Sequence, residues 1–186
     1  CRAPQANSNS ARSRPRRVIV HVTVAEVRLL SNRMSARSGV PVQPTACAHL
    51  TILGSRTVHW STEADCATSA QALAAVPLLR EACVELRGPL GAGKTSFARH
   101  LLHALGVAGR VKSPTYAVME PYELPGGTVW HFDFYRFDDP QEWEDAGFRE
   151  LFASPGLKLA EWPEKAEGLL PVPDLRVTIE LLEHEA

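Results

Sequence analysis

The stretch ELRGPLGAGKTSFARHLLHALG, residues 85–106, decides the fold because it contains the pattern G-x-x-x-x-G-K-[ST]. A loop of this kind wraps backbone N–H groups around a di- or triphosphate, and its glycines permit the positive φ angles that this requires. Lys94 would bring charge to the outer phosphates, and the Thr95 hydroxyl would bind Mg²⁺. The pattern predicts a nucleotide site formed by Gly88, Pro89, Leu90, Gly91, Ala92, Gly93, Lys94, Thr95 and Ser96.

The residues on either side of the loop have the patterns of the strand and helix that this motif requires. Residues 82–87 alternate in polarity as a short strand does, and apolar residues recur at helical spacing over residues 97–105. Gly106 then follows as a typical helix stop. Strand, glycine loop and helix in this order indicate nucleotide binding rather than a chance match.

Strand and helix patterns alternate along the rest of the chain. Residues 49–60 look extended with a turn at residues 54–55, and residues 61–76 read as a helix whose Thr62 and Asp65 have capping-box spacing. Asp139 is placed to cap a further helix. Strands are predicted at residues 128–133, 156–162 and 175–182. Interleaved strands and helices predict an α/β layer fold with a partly parallel sheet.

Composition sets further limits. The chain has 186 residues with 45% hydrophobic content, enough for one packed domain, and no apolar run approaches the 18 residues of a membrane span. The cysteines Cys1, Cys47, Cys66 and Cys83 form no C-x-x-C pair, so their spacing indicates neither a zinc site nor a disulfide framework. A cytoplasmic protein without membrane partners is expected.

The first forty residues differ from the rest in charge. They hold eight arginines and one acid, which makes +7, and because the whole chain carries −1 the remainder sums to −8. We interpret residues 1–48 as a basic leader, either disordered or non-native with translation starting at Met34, followed by a P-loop ATPase domain at residues 49–186. An RNA-binding arm and a transit peptide stay open, and residues 18–30 could form a strand. The acidic remainder argues against bulk, charge-driven binding of nucleic acid.

Two acids follow predicted strands at positions where a metal could be held. Asp133 ends VWHFD and Glu161 ends LKLAE, and in open α/β sheets ligands bind at the carboxyl ends of strands. Hydrolysis needs such acids to hold Mg²⁺ and orient water. Ser113 and Thr115 lie in the polar loop VKSPTY, where they could touch the γ-phosphate or the metal. The structural alternatives are a helix cap or turn residue for Asp133, a solvated surface acid for Glu161 and an ordinary connecting loop for VKSPTY.

Five motifs in order, GPLGAGKTSF, VKSPTY, EPYEL, HFDFYR and EWPEKAEGLLP, closely resemble the bacterial TsaE (YjeE) ATPases from about residue 57 onward. The resemblance implies a three-layer α/β/α P-loop NTPase fold with a mixed, mostly parallel sheet. It also implies slow, partner-dependent hydrolysis of ATP with Mg²⁺. The partners would be TsaB and TsaD, and the reaction would transfer threonylcarbamoyl to the adenosine beside the tRNA anticodon. The chain would interact with the tRNA only indirectly, through the complex.

The resemblance also implies roles for single residues. Lys94 would hold the β- and γ-phosphates, Asp133 would be the essential acid near the γ-phosphate, and residues 113–115 would form a switch segment. The metal ligands would come from Thr95, Ser96, Asp133 and Glu161, with Trp162 beside them and residues 61–65 near the nucleoside. The sequence departs from the family pattern in two ways. Pro89 stands where many relatives have Asp, and many relatives have a longer segment after the last strand.

Two other classes fit less well. A small-molecule kinase usually needs an arginine-bearing lid, and the arginines after Lys94 are scattered. A GTP-dependent switch generally carries N-K-x-D after the loop, but Asn7, Asn9 and Asn32 all lie upstream.

Overall fold

A seven-stranded sheet forms the centre of the part of the chain that the computed structural model describes, residues 18–25 and 52–182. The strands in chain order are β1 Val18–Ala25, β2 Ile52–Trp60, β3 Cys83–Arg87, β4 Met119–Leu124, β5 Gly127–Asp133, β6 Leu157–Glu161 and β7 Leu175–Leu181. Their order across the sheet is β2-β1-β7-β3-β6-β5-β4.

The sheet is mixed and mostly parallel, as predicted. Strands β7, β3, β6 and β5 are parallel neighbours, while β1 pairs antiparallel with β7 and with β2, and β4 pairs antiparallel with β5. The carboxyl ends of β3, β6 and β5 therefore meet at one edge of the sheet, where ligands bind in this class of fold.

Helices cover both faces of the sheet. They are α1 Glu63–Ala74, α2 Lys94–Leu105, α3 Pro140–Asp145 and α4 Phe148–Ala153, with short 3₁₀ turns at Pro77–Glu81 and Pro163–Ala166. Helices α1 and α2 pack with Val84, Leu86 and Leu159 in one apolar cluster, while α3 and α4 join an aromatic cluster around Phe132 and Phe134. The two clusters use alternate residues of the strands, so the fold has three layers, α/β/α.

Local sequence signals for helix starts are confirmed. Thr62 caps α1 and forms the predicted capping box with Asp65. Asp139 caps α3 by accepting from Gln141 N–H at 2.9 Å, but that helical stretch is interrupted at Gly147, whose left-handed backbone (φ 66°) separates α3 from α4. The turn predicted at residues 54–55 is wrong: β2 continues through it, and the only irregularity in its pairing with β1 lies opposite, between Val24 and Ala25.

Strand β1 falls inside the range interpreted as a leader. It lies between β2 and β7, paired along its length with both, and Val20 is fully buried. The interpretation of residues 1–48 as a leader separate from the domain therefore fails for residues 18–25. These residues form a strand, as their sequence allowed, and that strand is part of the sheet. The other residues before 52, including Cys1 and Cys47, lie outside the described part. Within that part, no helix is long and apolar enough to cross a membrane.

Candidate nucleotide and metal site

The glycine loop between β3 and α2 is tightly held. Gly88 has φ 142°, and a Cβ there would lie 2.3 Å from the backbone oxygen of Ile179 in β7, so no other residue fits without moving the sheet. Gly91 and Gly93 also have positive φ, at 77° and 107°, and the Ala92 N–H donates to the Pro89 carbonyl at 3.2 Å. The loop has the conformation that the sequence motif predicts.

Lys94 begins α2 with its amine turned back into the loop. Its Nζ donates to the carbonyl oxygens of Gly88 and Pro89 at 2.6 and 2.9 Å, and the side chain is only 4% exposed. Nζ also lies 3.5 Å from the centroid of the Trp162 ring, a cation–π contact. Burial lowers the pKa of Lys94, and nearby carboxylates oppose that shift; they are Glu161, Glu164 and Asp133.

Trp162 follows directly on β6 and has a left-handed backbone, with φ 57°. This conformation is costly for a residue with a large side chain, and the surrounding contacts must hold it. Tyr135 packs on the ring with centroids 4.9 Å apart, and Lys94 lies over the same ring. From the sequence alone, Trp162 could equally be core filling or a partner contact, because no local pattern shows a contact with a lysine 68 positions earlier.

Glu161 connects the loop helix to the sheet. Its Oε2 accepts from the Thr95 hydroxyl at 2.8 Å, and its Oε1 lies 2.9 Å from Nε2 of His131 in β5. Glu161 and His131 are 1% and 0% exposed, and His131 Nδ1 has no hydrogen-bond partner among the described residues. The pairing fixes the carboxylate from both sides. The spacing of two between His131 and Asp133 puts both on one face of the strand, but it does not identify Glu161 as the partner of His131.

Asp133 contacts both of the side-chain hydroxyls of Ser113 and Thr115 in the loop VKSPTY. Ser113 Oγ and Thr115 Oγ1 each lie 2.6 Å from Asp133 Oδ2 and 2.8 Å from one another, while the other carboxylate oxygen accepts from Tyr135 N–H at 3.1 Å. Three close oxygen–oxygen contacts share two hydroxyl protons, so only two of them can be hydrogen bonds at once. The structure thus brings the loop and the strand acid together.

The two acids are neighbours at the sheet edge. Asp133 and Glu161 are register partners in β5 and β6, and Phe134 N–H donates to the Glu161 carbonyl at 3.0 Å. With the Thr95 hydroxyl they offer hard oxygen ligands, which fit Mg²⁺, an ion usually held by one or two carboxylates together with water and phosphate oxygens. Residues 18–25 and 52–182 contain no group of three or more His, Cys, Asp or Glu that could hold a metal ion unaided.

A cavity of about 340 Å³ opens beside the loop. One wall comes from Trp60, the start of α1 and Cys66, and the opposite wall from Ala92, Gly93 and Ser96. Residues 61–63 therefore face the phosphate loop across this cavity, and the proximity of residues 61–65 to the nucleoside stays a prediction. Ser96 faces this cavity, whereas its neighbour Thr95 contacts Glu161. Burial raises the pKa of Cys66 to about 12, so its thiol stays uncharged at neutral pH.

The remaining predicted loop residues differ in how their side chains are used. Leu90 is 71% exposed, and Pro89 contributes its carbonyl oxygen to Lys94. The replacement of an acid by Pro89 thus leaves this backbone contact in place. All the predicted site residues lie at the carboxyl edge of the sheet or on the adjoining loop and helix; their roles toward a ligand stay predictions.

A glycine loop between a parallel strand and a helix, with a buried lysine and acids at the neighbouring strand ends, defines a nucleotide-binding P-loop protein of the α/β/α class. Comparison with known families specifies the class further. The family model described as "Threonylcarbamoyl adenosine biosynthesis protein TsaE" matches residues 60–186, and the chain belongs to the TsaE family.

Individual relatives agree with this assignment. The tRNA threonylcarbamoyladenosine biosynthesis protein TsaE of Haemophilus influenzae is 46% identical over 97 residues, 52% of this chain and 61% of that protein. The Bacillus subtilis protein of the same name is 38% identical over 94 residues, 50% of this chain and 58% of its own. The matches thus span about three fifths of these relatives. The crystal structure of Bacillus subtilis YdiB superposes with a TM-score of 0.50 at 26% identity, covering 64% of this chain and 72% of that one.

Proposed function

We propose that this protein is the Mg²⁺-dependent ATPase subunit of the machinery that makes N6-threonylcarbamoyladenosine in tRNA, working with TsaB and TsaD in the cytoplasm. The observation that carries the proposal is the chain of contacts from the glycine loop to the strand acids. Lys94 lies inside the loop, Thr95 is 2.8 Å from Glu161, and Asp133 is the register partner of Glu161.

Each residue has a distinct part in this proposal. On binding a triphosphate, the Lys94 amine exchanges the carbonyls of Gly88 and Pro89 for phosphate oxygens, which are better acceptors for its charge. Thr95 and Glu161 would hold Mg²⁺, which supplies neutralisation of phosphate charge when bound. The backbone N–H groups of the loop and the start of α2 face the same anion.

Asp133 is proposed to orient the attacking water. Its carboxylate is held by Tyr135 N–H on one oxygen and by the hydroxyls of Ser113 and Thr115 on the other, so it is already oriented before a nucleotide binds. When the γ-phosphate enters, the two hydroxyls can turn toward it and leave Asp133 Oδ2 to accept from water. The switch role of residues 113–115 would lie in this exchange of partners.

The proposed substrate and partners are supported by the family assignment and by the cavity beside the loop. The relatives are named as tRNA threonylcarbamoyladenosine biosynthesis proteins, and a family role in that pathway supports assembly with its other members. The cavity between the start of α1 and the loop is the place proposed for the nucleoside, next to where the phosphates would lie. Specificity for adenine over guanine is part of the proposal.

Phosphate release tests it. The full chain is incubated with ATP or with GTP, alone and with TsaB plus TsaD, in the presence of Mg²⁺. We expect release that prefers ATP, is slow for the isolated chain and rises when both partners are present. Equal use of GTP, or a rate indifferent to the partners, would overturn the assignment, and phosphorylation of a metabolite would favour a kinase.

A further inference from the structure

A second cavity, of about 510 Å³, lies between α2 and the segment that leads into the VKSPTY loop. We call it the basic cleft, and it is lined by Arg99, His103, Arg110, Val111, Lys112 and Ser113. Arg110 and Lys112 are exposed, and Arg99 is half-buried on the helix that starts at Lys94. The cleft therefore presents three permanent positive charges and an imidazole, and no acid lines it.

These charges are not compensated within the described part of the chain. None of its ion pairs involves Arg99, Arg110 or Lys112, and the one side-chain hydrogen bond of Arg99 there runs from Nε to the Val111 carbonyl at 3.4 Å. The residues after position 40 sum to −8, so the cleft is a local positive region on an acidic body. Like charges held around one cavity repel each other, and an anion bound among them would remove that cost.

The composition of the cleft favours phosphate over an acidic protein surface. Protein interfaces are anchored by aromatic and apolar side chains and are poor in lysine, yet the only apolar lining residue, Val111, is itself buried. Arginine, lysine and serine hydroxyls are the groups that contact the phosphates of nucleic acids. The lining has no Phe, Tyr or Trp, so it offers more to a phosphate backbone than to a row of stacked bases.

We propose that the basic cleft binds the phosphodiester backbone of the tRNA directly. The inference rests on the proposed function, because the tRNA is the RNA on which that machinery acts. It goes beyond an indirect role, in which the tRNA meets only the other subunits. Ser113 belongs both to the cleft and to the Asp133 cluster, so the phosphodiester would lie next to the loop that contacts the strand acid.

A charge-reversal experiment tests direct binding. The full-length chain and its Arg110→Glu/Lys112→Glu variant are titrated against a labelled, unmodified tRNA transcript whose anticodon reads codons beginning with adenine, and binding is followed by fluorescence anisotropy from 50 to 200 mM salt. We expect the variant to bind on the order of tenfold or more weakly, and the slope of log affinity against log salt to fall by about 1 to 2, one for each lost phosphate contact.

The matched control is Arg56→Glu/Arg80→Glu, which changes the net charge equally at two exposed arginines outside the cleft. It should bind the transcript within about twofold of the wild type once the general loss of charge is allowed for. A loss of affinity in the control variant equal to that in the cleft variant, or no transcript binding by the wild type at 50 mM salt, would overturn the proposal. So would competition by polyglutamate as strong as by unlabelled transcript, since the cleft would then suit an acidic protein.

ATP hydrolysis measured on the same samples separates this inference from the proposed function. Lys112 precedes Ser113 in the chain, but among the described residues no hydrogen bond or ion pair joins the side chain of Arg110 or Lys112 to a residue assigned to the nucleotide, so the cleft variant should keep its basal hydrolysis. Intact hydrolysis without RNA binding by the wild type contradicts only the cleft. RNA binding that the cleft variant loses, in a chain without ATP hydrolysis, contradicts only the ATPase assignment.

Discussion

His131 is the residue whose part in the site could least be foreseen. It lies 2.9 Å from Glu161, both side chains are almost completely buried, and Glu161 turns its other oxygen to Thr95. A buried carboxylate needs partners on both oxygens, since an unpaired one costs several kcal/mol. We therefore regard His131 as a positioning residue that keeps the carboxylate directed at the Thr95 hydroxyl.

Two substitutions of His131 distinguish positioning from simple packing. His131→Leu keeps an apolar group in the strand but leaves Glu161 Oε1 unpaired, and we expect the free energy of unfolding to fall by about 3 kcal/mol. We also expect more Mg²⁺ to be needed for half-maximal binding of a non-hydrolysable ATP analogue. His131→Gln can still reach Oε1 with its amide and should restore most of that Mg²⁺ dependence. The measurements are urea unfolding and calorimetric titration at several Mg²⁺ concentrations.

If both variants need the same Mg²⁺ concentration as the wild type, His131 only fills space.

Single-residue signals in the sequence identified Lys94, Thr95, Asp133 and Glu161 as candidates because each stands at a motif position or a strand end. The contacts that join them were not predictable. The Glu161–His131 and Lys94–Trp162 contacts connect residues 30 and 68 positions apart, and they depend on strand order and side-chain direction. Such pairings are decided by the assembled sheet rather than by local pattern.

Among the elements, the glycine loop is held in place by the strand beside it. Gly88 and Gly91 both have positive φ, yet only Gly88 has a neighbouring backbone where a Cβ would be, the Ile179 oxygen at 2.3 Å. The fit between β3, the loop and β7 therefore allows no side chain at position 88, whereas position 91 only requires an unusual backbone conformation.

Alanine at these two positions should have different effects. Gly91→Ala should lower the free energy of unfolding by about 1 kcal/mol, the cost of a left-handed alanine. Gly88→Ala adds a backbone clash and should cost on the order of 3 kcal/mol. Chemical denaturation of both variants measures the difference. Equal losses would show that β7 does not restrict the loop.

Element types and ends were predictable where the cause is local. The capping box of α1, the N-cap of α3 and the strand ends at Asp133 and Glu161 follow from side chains near in sequence. The continuation of β2 through Gly54 was not predictable, because it depends on pairing with β1 rather than on turn residues. The inclusion of residues 18–25 in the sheet likewise depends on pairing with β7, more than 150 positions later.

For the molecule as a whole, the parallel strands bring together residues that lie far apart in sequence. The loop after β3 and the acids that end β5 and β6 converge because these strands run in the same direction and are neighbours. An α/β layer fold could be predicted from alternating patterns and its three layers from the family resemblance, but not the strand order that makes Asp133 and Glu161 register partners. The proposed ATP hydrolysis depends on that strand order.

ATP binding and ATP turnover of Asp133→Ala, measured on the same sample with TsaB and TsaD present, test whether this edge of the sheet is a catalytic site. The exposed Asp138→Ala variant serves as a control, and Lys94→Ala should lose both binding and turnover. We expect Asp133→Ala to bind Mg-ATP within about twofold of the wild type while its turnover falls at least about 100-fold, since the carboxylate acts mainly in the transition state. Hydrolysis at the wild-type rate by Asp133→Ala would contradict the account.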